Sequence, residues 1–262
     1  MGISDNLVIR ERTYRTPIET EYQENNTGRV RYYNASSNSA IVILPQRGGG
    51  YNFAQLIAAY LATNGISAYV IETPFHGKRL PSGVKSICDV QMDLAKLKGI
   101  FRQAVTETRS LIDLVEEEKI GICGISLGAI YASIVYGVDE RVSSACLIAG
   151  CGNLADLIYE SEDIFANHLR NYLIEIGIKR KELKESLKEI EPCNYIDRSK
   201  SRNLLMVNGR KDKDAPLDYA QDLAKAWGNP KQILTKRGHV SMVLDVHHLL
   251  PEILNHFRKT LE

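Results

Sequence analysis

The sequence predicts an α/β protein: a mostly parallel central sheet of about eight strands, flanked by helices, with a small helical insertion. Three observations carry this reading. Strand-like apolar runs alternate with stretches of helical periodicity through most of the chain. Several runs, such as AIVILP at 40–45 and LLMVNG at 204–209, are apolar without interruption, as strands buried on both faces require. One interval, 153–200, carries no strand pattern.

The elements follow in order. Residues 7–15 alternate loosely and read as a strand. TGRVRYYNA, 27–35, sets Val30 and Tyr32 against charged neighbours and reads as its antiparallel partner. AIVILP is the first buried strand. Beyond its glycine-rich turn, Phe53, Leu56, Ile57, Tyr60 and Leu61 recur at helical spacing until Asn64-Gly65 closes the helix. ISAYVIE, 66–72, is the next strand, followed by the loop TPFHGKRLPSG. A long helical region spans about Ser86 to Glu118. KIGICGI, 119–125, is a strand and LGAIYASIVYG a helix. VSSACLIAG (142–150), LLMVNG and KQILTK (231–236) complete the strands, and LLPEILNHFRKTLE is the final helix. Within the strandless interval, Leu154, Leu157, Ile158, Phe165 and Leu169 read as one helix, and Leu183, Leu187 and Ile190 as another. The whole, 1–262, reads as a single domain, with 153–200 a helical cap insertion over a pocket at the strand ends, or else a helical excursion that packs on the sheet.

Composition excludes several classes. The 262 residues carry 33 basic and 32 acidic side chains, a net charge of +1, so no basic excess points to nucleic acid or anionic lipid. No apolar run approaches the roughly 18 residues of a membrane span. The first residues lack a signal-peptide core and fit an N-terminal myristoylation pattern poorly. Five cysteines, three of them in apolar runs (Cys123, Cys146, Cys151), suggest reduced thiols in a cytoplasmic protein. No metal-ligand spacing is present. Oligomeric state is left open.

The chemistry centres on Gly124-Ile125-Ser126-Leu127-Gly128, where a strand meets a helix. A G-x-S-x-G pattern alone is weak evidence; its place between strand and helix is the required context. The turn is sharp, so side chains two before and two after the serine would strike the neighbouring strand and helix. The helix start adds backbone N–H groups and a positive dipole end beside the serine oxygen. A serine hydroxyl needs a base, and the base an orienting acid. LLMVNG runs into Gly209-Arg210-Lys211-Asp212-Lys213-Asp214-Ala215-Pro216, and KQILTK into Arg237-Gly238-His239.

With these motifs in chain order, each after a strand, the sequence resembles the α/β-hydrolase fold superfamily from about Ala40 to the C-terminus. Gly124–Gly128 resembles the nucleophile elbow, NGRKDKDAP the acid loop, and RGHVSM the last catalytic loop. The resemblance implies Ser126 as nucleophile, Asp212 rather than Asp214 as acid, and His239 rather than His247 or His248 as base. It implies oxyanion donors in the backbone N–H of Leu127 and of Arg47, with Gln46 second. Many relatives carry His-Gly where this chain has Pro45-Gln46. Candidate substrate-binding residues are His76 and Tyr51; Lys78 and Arg79 share the loop of His76, which reads as a substrate channel or a polar surface loop. The implied activity is hydrolysis of carboxylic esters through an acyl-enzyme, a carboxylesterase-like reaction on a small-molecule ester or acyl substrate with no cofactor. A peptidase or thioesterase with the same residues, and a non-catalytic binding protein, are the alternatives.

Overall fold

A computed structural model describes residues 7–48 and 51–261. The readings that fall on residues 1–6 and on Gly49 and Gly50 lie outside them. The described residues form an eight-stranded sheet in the order β1-β2-β4-β3-β5-β6-β7-β8. β1 (Val8–Arg15) pairs antiparallel with β2 (Thr27–Asn34), and β2 antiparallel with β4 (Ser67–Glu72). From β4 the sheet is parallel through β3 (Ser39–Leu44), β5 (Lys119–Ile125), β6 (Val142–Ile148), β7 (Leu204–Gly209) and β8 (Lys231–Thr235).

The uninterrupted apolar runs become the central strands because each face of the sheet is covered. Successive side chains point to opposite faces. In β3, Ala40, Val42 and Leu44 enter one core while Ile41 and Ile43 enter the other. In β5, Ile122 faces the first core and Cys123 the second. The second core is closed by α1 (Asn52–Thr63) and α9 (Val246–Leu261). The first is closed by α2 (Ile87–Gln91), α3 (Leu94–Ile112), α4 (Leu127–Val138) and α8 (Leu217–Ala226). It extends into the strandless interval, which holds α5 (Leu154–Glu160), α6 (Ile164–Glu175), α7 (Arg180–Ser186) and short 3-10 turns up to Asn203.

Two of the expected helices are divided where an aspartate caps a new one. The region from Ser86 breaks at Asp93, whose carboxylate accepts the Ala95 and Lys96 N–H groups and starts α3 afresh. The helix expected over Leu154–Leu169 breaks at Ser161–Asp163, where Asp163 caps α6 by accepting the Ala166 N–H. Among the described residues no helix is long and apolar enough to cross a membrane. All five cysteines are free. Cys123 and Cys146 face each other across β5 and β6, and the contact with Cys123, together with burial, holds the Cys146 thiol far above its ordinary range.

Candidate active site

The chain turns from β5 into α4 through Ser126, whose backbone has φ +53° and ψ −117°. A non-glycine residue here is strained by roughly 1–3 kcal/mol and is held only by its surroundings. Those surroundings are visible. The Ser126 N–H donates to the Ile148 carbonyl of β6 at 2.8 Å. A Cβ on Gly124 would lie 2.3 Å from the Gly128 carbonyl oxygen, and one on Gly128 would lie 2.1 Å from the Leu44 carbonyl oxygen of β3. The glycines let α4 settle directly on β3 and β5, and that contact sets the serine at the sheet's carboxyl edge.

Two later loops reach the same point. His239 Nε2 lies 2.8 Å from Ser126 Oγ, and His239 Nδ1 lies 2.8 Å from Asp212 Oδ2. The carboxylate can only accept, so Nδ1 carries the proton and Nε2 is left to accept from the serine hydroxyl. Asp212 is buried, and its other oxygen accepts the Asp214 N–H at 3.0 Å and the Ala215 N–H at 2.8 Å. Its position is therefore fixed by its own loop. Asp214 sends its side chain into the pocket wall instead, and burial raises its carboxyl above the usual range. Burial alone would lower the His239 pKa, but the hydrogen bond and charge of Asp212, with Asp214 and Asp163, outweigh it and leave the imidazole above its ordinary value. His247 and His248 stand exposed at the start of α9.

Two spaces meet at Ser126 and His239. An inner chamber of about 90 Å³ has apolar walls from α3, such as Leu97 and Phe101, and from the strandless interval, such as Leu154, Ile158, Phe165 and Ile190. A broader outer cleft of about 770 Å³ runs past Phe53, His76, Ile87, His168 and Val240. Arg47 lines both. Its guanidinium donates to Asp163 at 2.9 Å and lies 4.5 Å from the Phe165 ring centre, joining the loop after β3 to α6.

The expected residues fall into three groups. Ser126, Asp212 and His239 come together, and Leu127 follows as the first residue of α4, where an amide has no partner within its own helix. Gln46 and Arg47 line the outer cleft beside the serine. His76 lies in the cleft wall with only 3% of its surface exposed. Its Nδ1 donates to the Pro74 carbonyl at 2.9 Å, and burial pushes its pKa down to about 4, so the ring is neutral. Tyr51 is placed elsewhere, in a separate groove with Glu11, Arg29 and Glu72, because the start of α1 turns its ring toward β2 and β4. Arg79 is neither a channel nor a surface residue: it is wholly buried and donates to Glu107 at 2.6 and 2.7 Å, while Lys78 stays on the surface. Asp163, Phe165 and Gln91 are site residues that the motifs did not point to. Of these only Asp163 had a local signal, a capping residue just before the apolar Ile164.

This sheet order, this elbow and the two following loops define an α/β-hydrolase. The sequence profile of the family described as "Alpha/beta hydrolase domain containing 18" matches residues 23–155, about half of the chain, and the chain belongs to that family. The match takes in β2 through β6 and Ser126. No curated protein matches the chain. Among solved structures, an esterase from Pyrococcus furiosus is similar over 98% of this chain and 92% of its own, with a TM-score of 0.65 and 14% identity. The α/β hydrolase GrgF from Penicillium sp. is similar over 97% and 99%, at 0.68 and 17%. An acylaminoacyl peptidase from Pyrococcus horikoshii is similar over 97% of this chain but 42% of its own, at 0.66 and 14%. At these identities the likeness is one of fold.

Proposed function

We propose that the protein is a serine hydrolase that cleaves carboxylic esters through an acyl-enzyme. The observation that carries this is the unbroken chain of two 2.8 Å contacts, Ser126 to His239 to Asp212, at a strained elbow beside a pocket. Ser126 Oγ attacks the ester carbonyl carbon as His239 Nε2 takes its proton. The C–O bond to the leaving alcohol breaks, and His239 returns the proton to that oxygen. Water then attacks the acyl-enzyme, giving its proton to His239, and Ser126 leaves with a proton from the imidazolium. Asp212 holds the tautomer and balances the imidazolium charge. The Leu127 N–H and an N–H of the Arg47 loop, with Gln46 second, receive the oxyanion.

In this reading residues 153–200 act as a cap whose apolar side chains close the inner chamber around the acyl group, within one domain of 1–262, and the leaving group exits by the outer cleft, where His76 contacts the substrate. The apolar walls favour an acyl group over a charged one. The expected place of action is the cytoplasm, supported by five free cysteines. Esterase and peptidase folds both lie among the structural neighbours, so the test compares bond types directly. Nitrophenyl esters of graded chain length are run beside aminoacyl arylamides and acyl thioesters. Esters should give the highest kcat/KM; faster arylamide or thioester turnover would overturn the ester assignment.

A further inference from the structure

Gln91, the last residue of α2, sits in the wall of the inner chamber and is 1% exposed. Its apolar wall includes Leu97 and Phe101 of α3, with Leu187 and Ile190. Its carbonyl oxygen Oε1 has no hydrogen-bond partner among the described residues. Such a group is costly, because it has lost water and gained nothing. Most buried polar groups in folded proteins are paired, so an unpaired one calls for a cause. A chamber meant only for plain hydrocarbon would be better served by leucine at this position.

We propose that the chamber takes an acyl group bearing a hydrogen-bond donor, a hydroxyl or an amide N–H, and that Gln91 selects it. This rests on the hydrolase reading above and names the substrate class of that site. A buried acceptor discriminates strongly, since a substrate without the donor leaves it unpaired through the reaction. A hydroxyl fits best, because it can donate to Oε1 and also accept from the amide group. The chamber's size agrees. Where one water needs roughly 10–15 Å³, about 90 Å³ holds on the order of six to nine such groups, a medium acyl chain with a polar substituent.

The experiment measures kcat/KM for nitrophenyl esters of plain, ω-hydroxy and ω-carboxamido acids in a series of graded length, with wild type and Gln91→Leu. Wild type should favour a hydroxy or carboxamido ester over the plain ester of equal length by about 10- to 100-fold. Gln91→Leu should abolish or reverse that preference. Ligand-free Gln91→Leu should melt at the same temperature as wild type or about 2–4 °C higher, because the unpaired polar group is gone; Gln91→Met serves as the second variant. The hydroxy and carboxamido arms separate the two donor types. Wild type favouring plain esters at every length, or a preference that Gln91→Leu leaves unchanged, overturns the proposal. A lower melting temperature with unchanged preference assigns Gln91 a purely structural role. Failure of the hydrolase reading looks different: no ester of any kind is turned over.

Discussion

Arg47 and Asp163 meet at 2.9 Å where the inner chamber opens into the outer cleft, 116 residues apart in sequence. The pair ties the loop after β3 to the cap of α6. Burial would raise the Asp163 carboxyl, but the charge and hydrogen bond of Arg47 outweigh it and hold the group below its ordinary range. Only 25% and 28% of the two side chains is exposed, so solvent screens the pair weakly. Breaking it with Arg47→Met or Asp163→Asn should cost about 1–3 kcal/mol, less than the roughly 3–5 kcal/mol of a fully buried pair. The double variant should cost clearly less than the two added. Denaturant unfolding of all four proteins measures this; simple additivity would show the pair to be idle.

Asp212 and Asp214 separate cleanly. Asp212 touches the imidazole and Asp214 does not. Asp212→Asn should lower kcat by about 10³- to 10⁴-fold, since the imidazole loses its orienting acceptor. Asp214→Asn should stay within about tenfold of wild type, as it removes only a neighbouring charge. Steady-state kinetics on one ester decides the matter, and the reverse order would move the acid to Asp214.

The pH profile follows from His239. The base must be neutral, so activity is lost as pH falls through its raised pKa. The acid limb of kcat/KM should therefore lie above the usual histidine value of about 6.5. Asp214 and Asp163 both favour the imidazolium; Asp214→Asn should shift the limb to lower pH. Stability has the opposite sense: a raised folded pKa adds stability below the unfolded value, and that gain disappears as pH rises through the folded one. A limb below the ordinary value would contradict this electrostatic picture.

Glycine substitutions test the elbow's packing. Gly128→Ala drives a Cβ against the unyielding backbone carbonyl of Leu44 at 2.1 Å, and should cost on the order of 3–5 kcal/mol. Gly99→Ala, inside α3 with nothing within 4 Å of the added carbon, should gain up to about 1 kcal/mol. Thermal unfolding compares the two directly. An undiminished melting temperature for Gly128→Ala would show that α4 does not rest on β3 in this way.

Much of this was legible in the sequence because the signals are local. The buried strands fall within a residue or two of their apolar runs, since covering both faces demands continuous apolar sequence. Ser126, Asp212 and His239 follow strands in order, and the structure brings their side chains into contact. The broken helices were hidden because Leu154, Leu157, Ile158, Phe165 and Leu169 keep a helical period across the break, while Asp163 decides it by capping. Tyr51 and Arg79 went astray for a related reason: whether a loop side chain faces the pocket, a side groove or a buried carboxylate such as Glu107 depends on distant partners. Gln91 and Phe165 join the site only through tertiary packing.

The most direct test is covalent. Wild-type protein and Ser126→Ala, both folded, are treated with a fluorophosphonate probe, and the adduct is located by peptide mass spectrometry. The expected result is a single adduct on Ser126 in wild type and none in the variant. An unlabelled wild type, or equal labelling of both, would contradict the assignment of Ser126 as the nucleophile.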